Sequence, residues 1–240
     1  MRSMVLAHRG WKQLGPVDQL AERNRRLSCL SLRNGLTRSL GYPSSYIIEA
    51  TNLCDQKCTI CETGLGLITR GRGNMDFDKF CGLVEQIAPY ARNAGLYWMG
   101  ETFLHPRAYD MIAYFKRRIP ACHLFIAANG NILDPVKVVQ SGLDEIEFKV
   151  GGLDQETHVI YRVGGRLATE LAHIRAILEA RKELGASTPR VGLGFIVMKH
   201  NEHQLKDFQA FADKADEVAL YVEAGNGAGR FVTLSKATKE

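Results

Sequence analysis

From residue 44 onward, short apolar or β-branched runs alternate with longer stretches whose apolar residues recur at helical spacing. That alternation is the mark of βα units feeding a parallel sheet. Six runs are short enough for buried strands: 46–49, 96–99, 124–128, 145–150, 191–198 and 218–223. Helices are expected between them. Asp76 offers a capping carboxylate to a helix running toward Arg92, Pro106 opens a second through Met111, Ile112 and Phe115, and Asp134-Pro135 opens a third. Leu171, Ile174, Ile177 and Leu178 stripe a fourth over 167–184 ahead of Gly185, and Phe208 and Phe211 mark a fifth over 205–215. Six such repeats form either an open doubly wound sheet or a partial barrel, and periodicity does not separate the two. In both, active groups gather beyond the carboxyl ends of the strands.

At 240 residues the chain has room for one ample core, and single α/β barrels reach this length. No apolar run approaches the ~18 residues needed to cross a bilayer, so no transmembrane segment is expected. The net charge of +5 is uneven. Residues 1–40 hold eight Lys or Arg against Asp18 and Glu22, which leaves the other 200 at −1. Arg23, Arg25 and Arg26 read as a solvated helix face, and nucleic acid is not expected as a partner. Val5 and Leu6 are soon followed by His8, Arg9 and Lys12, so the start lacks the apolar core of a secretory signal, although an Arg-rich start leaves an organellar presequence open.

Three of the six cysteines fall within eight positions, Cys54-Asp-Gln-Lys-Cys58-Thr-Ile-Cys61, on a loop just after the first strand. This is a ligand cluster rather than a disulfide framework, and it points to a reducing compartment such as the cytoplasm. Three thiolates at this spacing can take three corners of a cuboidal iron–sulfur cluster and leave the fourth iron open to substrate or cofactor. The alternative is a structural zinc site, but zinc prefers four protein ligands and no neighbouring Cys or His completes such a set. Cys29, Cys81 and Cys122 lie in or beside expected helices and read as small buried hydrophobes.

The x3, x2 cysteine spacing after a first strand resembles the radical S-adenosylmethionine (radical SAM) superfamily, and later segments fit the same pattern. The resemblance implies a partial (β/α)6 TIM-like barrel with parallel strands, a [4Fe-4S] cluster on Cys54, Cys58 and Cys61, and S-adenosyl-L-methionine on the open iron. Met99-Gly-Glu-Thr is similar to the family's Gly-Gly-Glu-Pro segment, which holds the methionine amino group; Gly100 and Glu101 match, while Met99 and Thr102 depart. Asn129, in Ala127-Ala-Asn-Gly130, is similar to a Thr-Asn-Gly segment, though a plain Asn-Gly turn fits equally. After the fourth strand, Lys149 and Gly151 stand where many relatives carry a serine and an aspartate, and Lys149 can pair with a carboxylate of cofactor or substrate. Arg162 is a candidate for the cofactor carboxylate or else a surface ion pair. Ile60 occupies a slot often filled by an aromatic that touches adenine. Lys199, His200 and Asn201 end a fifth strand similar to one packed near adenine and ribose.

The resemblance covers about residues 44–224, leaving 1–43 as a basic, partly helical extension and 225–240 as a tail. It is nearest to proteins that carry an appended auxiliary-cluster domain, and no cysteine follows Glu223 to build one. The implied function is reductive cleavage of S-adenosylmethionine and hydrogen abstraction from a small-molecule or peptide substrate, fed by an electron donor such as flavodoxin or ferredoxin. The alternative is a non-catalytic iron–sulfur partner. Lys149, His200 and His105 are candidate catalytic residues, with Glu62, Tyr97 and Trp98 also near the site; His105, ahead of Pro106, can equally cap a helix. The Gly225-Asn-Gly-Ala-Gly-Arg230 segment is a possible phosphate loop or simply a turn.

Overall fold

The computed structural model describes residues 16–214, 218–224 and 232–233, and the glycine-rich segment 225–230 lies outside them. Helix α1 (Pro16–Arg33) precedes the sheet. Then follow β1 (Ser45–Ile48), α2 (Phe77–Ile87), β2 (Asn93–Leu96), α3 (Ala108–Arg118), β3 (His123–Ala128), α4 (Pro135–Gln140) and β4 (Glu145–Val150). The chain continues through α5 (Gln155–Tyr161), α6 (Leu167–Glu183), β5 (Arg190–Val197), α7 (Leu205–Lys214), β6 (Val218–Ala224) and β7 (Val232–Thr233).

The strands lie side by side in chain order, β1 through β7. Every pair from β1 to β6 is parallel, and β7 adds an antiparallel edge against β6. Strand order equal to chain order, with helical crossovers, is the barrel solution rather than the doubly wound one, which would reverse order at a switch point. The antiparallel β7 within the expected tail is an addition to the all-parallel expectation.

One face of the sheet carries the core. Leu96, Leu124, Ile126, Ile146, Phe148, Val191, Leu193 and Phe195 are buried there against Phe80, Val84, Met111, Ile112, Phe115, Ile177 and Phe208 of the helices. Side chains alternate along a strand, so the residues between them point into the lumen. Asp76, Asp134 and Asp154 each cap a helix, accepting from the amides of Lys79, Lys137 and Thr157.

Two elements differ from the sequence reading. The second strand ends at Leu96, paired with Ile48, so Tyr97, Trp98 and Met99 lie beyond it despite their β-favouring side chains. The Met99 amide donates to the Glu49 carboxylate at 3.1 Å instead of a neighbouring backbone, and the chain bends over the barrel mouth. Helix α2 stops at Ile87 rather than running to Arg92, and α5, short and rich in β-branched residues, gave no periodic signal.

The extension is pinned to the barrel. Asn24 exchanges two hydrogen bonds with the backbone of Tyr42, whose ring stacks on Tyr90 with centroids 4.4 Å apart. Arg25 and Arg26 both pair with Glu22 on the exposed face of α1, as a solvated charged face should.

Candidate active site

The loop after β1 is held from three sides. The Asn52 side chain accepts from the Gly73 amide and donates to the Gly71 carbonyl, tying the loop to the strap that follows it. The amides of Lys57 and Thr59 donate to the carbonyls of Val163 and Tyr161, at 2.8 and 3.1 Å. Gly64 lies so close that a Cβ there would stand 2.6 Å from the Cys58 amide nitrogen. The three cysteines are free thiols around one cleft of about 150 Å³ at the carboxyl ends of the strands. Cys58 is buried, and Cys54 and Cys61 are half-buried.

Burial pushes the Cys54 thiol up to about 11, and it also raises Cys58 against the pull of Arg162. Thiols so placed stay protonated at neutral pH until a metal displaces the proton, which is the chemistry of a ligand set rather than of a free nucleophile. Among the described residues no three His, Cys, Asp or Glu side chains converge on a single ion.

Gly100 and Glu101 face the thiols across the cleft. The Glu101 amide donates to the Leu53 carbonyl at 2.8 Å, and a Cβ on Gly100 would press into the carbonyl oxygens of Thr51 and Leu53. Only glycine lets the two loops lie this close. Thr102 donates its hydroxyl to the Leu96 carbonyl at 2.7 Å, just past the end of the strand. The Glu101 carboxylate is 3 % exposed and accepts from the amides of Asn129 at 2.6 Å and Phe103 at 3.2 Å. Burial nevertheless pushes it up to about 7, against those two hydrogen bonds. A buried carboxylate with free lone pairs in a cleft suits an ammonium ligand.

Asn129 donates to Asp55 at 2.6 Å and lies 3.8 Å from the Cys54 sulfur. Asp55 also accepts from Asn131, which reaches the Gly164 carbonyl and accepts from the Arg166 amide. Asp55 thus ties the cysteine loop to the β3 and α5 ends; its place inside the cysteine motif hid this role in the sequence.

Arg162 is 7 % exposed, with one guanidinium nitrogen 3.7 Å from the Cys58 sulfur and its Nε and Nη2 without hydrogen-bond partners. Buried donors left over beside a cleft fit an anionic ligand. The departure at Gly151 has a steric reason: a Cβ there would come within 2.9 Å of the Arg162 Cγ. Lys149 pairs with Glu147 at 2.8 Å on the lumen side of β4, and both are largely buried. Gly194 of β5, paired with Lys149, lets the two side chains lie against its backbone: a Cβ there would stand 3.0 Å from the Lys149 Cδ and 3.2 Å from the Glu147 Cδ.

The remaining candidates lie elsewhere. His105 is buried outside the cleft, with Nε2 2.9 Å from the Met75 carbonyl and Nδ1 accepting from the Arg107 amide, so it caps and braces as the Pro106 context allows. Asn201 is fully buried and stitches the end of β5, donating to the carbonyls of Gly151 and Ile196 and accepting from the Met198 amide. Ile60 is 56 % exposed and, like His200, does not line the cleft. Tyr97, Trp98, Gln56 and Tyr161 do line it. Glu147, Asp55 and Gln56 gave no separate signal in the sequence.

No family model and no curated protein sequence matches the chain. Solved structures do. Streptococcus suis SuiB bound to S-adenosylmethionine aligns with a TM-score of 0.65 and 13 % identity, over 87 % of this chain and 47 % of that one. SuiB bound to its precursor peptide SuiA aligns at 0.66 with 12 % identity, over 89 % and 46 %. Native anSMEcpe with bound S-adenosylmethionine aligns at 0.61 with 14 % identity, over 76 % and 51 %. The chain spans about half the length of these structures. What they share with it is the fold: a partial barrel of parallel strands.

Proposed function

We propose that this chain is a radical SAM enzyme, with residues 44–224 as its core and 1–43 as an extension. The observation that carries the reading is the convergence, in one cleft, of three loop thiols, a buried Glu101 carboxylate and a buried Arg162 with unpartnered nitrogens. Cys54, Cys58 and Cys61 would hold a [4Fe-4S] cluster. Glu101 would take the ammonium of S-adenosylmethionine and Arg162 its carboxylate, each offering the opposite charge in a site with little competing water. Bound there, the cluster and S-adenosylmethionine would together supply the means to abstract hydrogen from an unactivated carbon.

The chain's own residues do the rest. Gly100 brings the Glu101 loop onto the cysteine loop, and Asn129 with Asp55 fixes the cysteine loop from the other side. Glu147 and Lys149 present a charged pair to the lumen, where substrate enters, and Tyr97 and Trp98 form the rim. The peptide seen with SuiB makes a peptide one candidate substrate beside small molecules. A flavodoxin or ferredoxin would donate the electron, and a reducing compartment such as the cytoplasm suits the free thiols.

Anaerobic reconstitution tests the reading. Four irons and four sulfides per chain, with 5′-deoxyadenosine released under dithionite, support it, and Cys58→Ala should lose both while remaining folded. Stoichiometric cluster without any cleavage would favour a non-catalytic iron–sulfur protein; one zinc and no sulfide would remove the assignment.

A further inference from the structure

Behind Arg162, away from the cleft, lies a second buried polar group that the proposed chemistry does not use. Glu170 of α6 and His158 of α5 are both fully buried, with the His158 Nε2 3.8 Å from a Glu170 oxygen. Both Glu170 oxygens and the His158 Nε2 lack hydrogen-bond partners, as do the Arg162 Nε and Nη2. The His158 Nδ1 accepts from the Gly151 amide at 3.3 Å, which leaves Nε2 as the ring's protonated nitrogen, aimed at Glu170. Glycines pack against both side chains: a Cβ on Gly130 would stand 2.7 Å from the Glu170 Cγ, and one on Gly165 would overlap the His158 ring. Such close glycines keep room for an acid that an apolar side chain of the same size would fill at less cost.

The charged or titratable groups that act on Glu170 are His158, Arg162 and, from the cleft side, Glu101. His173, one turn along α6, is turned to the Gly130 carbonyl at 2.8 Å. Burial works against the charge of Arg162, but the fields of Cys58 and Glu170 outweigh it and keep the guanidinium protonated. Arg162 therefore stands 3.7 Å from the Cys58 sulfur and within the field of the Glu170 acid. A change of charge at the acid alters how much positive field reaches the cysteine.

We propose that Glu170, braced by His158, is a positioning and charge-setting residue that couples uptake of one proton to one-electron reduction of the cluster on Cys58. The balance is simple: one electron enters the cluster from a one-electron donor, one proton enters at Glu170 from solvent, and no bond to carbon changes. The inference rests on the radical SAM reading, because it needs the cluster. It has a supporting electrostatic condition, since burial pushes Glu170 up to about 8 against the pull of Arg162, within reach of physiological pH. His158 is held in its neutral form, pushed down to about 4 by burial and then by Arg162, so it does not compete for the proton.

The test is a potentiometric titration of the reconstituted holoprotein without S-adenosylmethionine, followed by electron paramagnetic resonance from pH 6.5 to 9.5. The wild-type midpoint should fall as pH rises. In Glu170→Gln the fall should be shallower, confined to the range of Glu101 near pH 7, and the midpoint should lie above wild type at the alkaline end, because the negative charge cannot form at position 170; Glu170→Asp should restore the full slope. A pH-independent wild-type midpoint, or a Glu170→Gln slope equal to wild type, overturns the inference while leaving the enzyme reading intact. If neither variant folds, the wild-type slope above pH 8, beyond the range of Glu101, decides: a flat midpoint there overturns the inference. Absence of any cluster signal overturns both.

Discussion

Strand β4 has two interiors. Ile146, Phe148 and Val150 are buried against the helices, while Glu145, Glu147 and Lys149, alternating with them, are buried or nearly so on the lumen side. Glu145 there meets Arg190 at 2.8 Å and His123 at 3.1 Å, and Glu147 meets Lys149. An ordinary amphipathic strand sends its charges to solvent; this one sends them to an enclosed space. The apolar face holds the sheet, and the charged face supplies a workplace at a cost in desolvation.

Truncation should separate the two faces most sharply. Phe148, fully buried, should cost about 3–5 kcal/mol as Phe148→Ala in a denaturant melt of the cluster-free protein. A much smaller cost would show that the helix-side layer is not the main source of stability. Gly100→Ala should come next, at about 1–3 kcal/mol, because its new Cβ meets backbone of the cysteine loop that cannot swing aside. It should also weaken S-adenosylmethionine binding, measured by calorimetry on the reconstituted protein; unchanged binding would detach Gly100 from the site.

Acidity provides the third contrast. Glu101 and Glu170 titrate in the folded chain at about 7 and 8, above the ordinary carboxylate value, so their contribution to stability is complete below pH ~4.5 and is lost as pH rises through their folded values. His158 has the opposite sign, depressed to about 4 from 6.5, and its contribution is complete above pH ~6.5. Between pH 6.5 and 8 only the carboxylates act. Stability of the cluster-free chain should fall there by up to about 1.4 kcal/mol per pH unit for each proton lost, and Glu170→Gln should flatten the slope. A stability rising over that window would contradict the placement of both acids. The smallest effect belongs to the lumen pair: replacing both partners, Glu147→Leu with Lys149→Met, should leave thermal stability nearly unchanged or raise it. A large loss would show that this charged pair helps hold the sheet.

Much of this was legible in the sequence because its signals are local. The three cysteines, Gly100-Glu101 and the capping acids are defined by neighbours a few positions away, and all five chain stretches that met at the cleft, including Asn129, Lys149 and Arg162, sit at the ends of expected strands or after them. Asn201 and His105 misled because a polar residue at a strand or helix end looks the same whether it faces a ligand or satisfies backbone, and here each satisfies backbone. The end of β2 was misplaced because aromatic residues favour strands wherever they stand, whereas the sheet ends where β1 stops offering partners. Asp55, His158 and Glu170 depend on contacts between distant segments, and no spacing announces those.

The tethers of the cysteine loop also set a timetable for biosynthesis. Cys58 and the Arg162 that stands over it are 104 positions apart, and the backbone bonds that seat the loop reach to Tyr161 and Val163. The thiols leave the ribosome well before the segment that fixes them, at a stage when they are exposed to oxygen and to stray metal. Loading of the proposed cluster is therefore expected to follow completion of the fourth strand and α5, onto a nearly finished barrel rather than a bare motif.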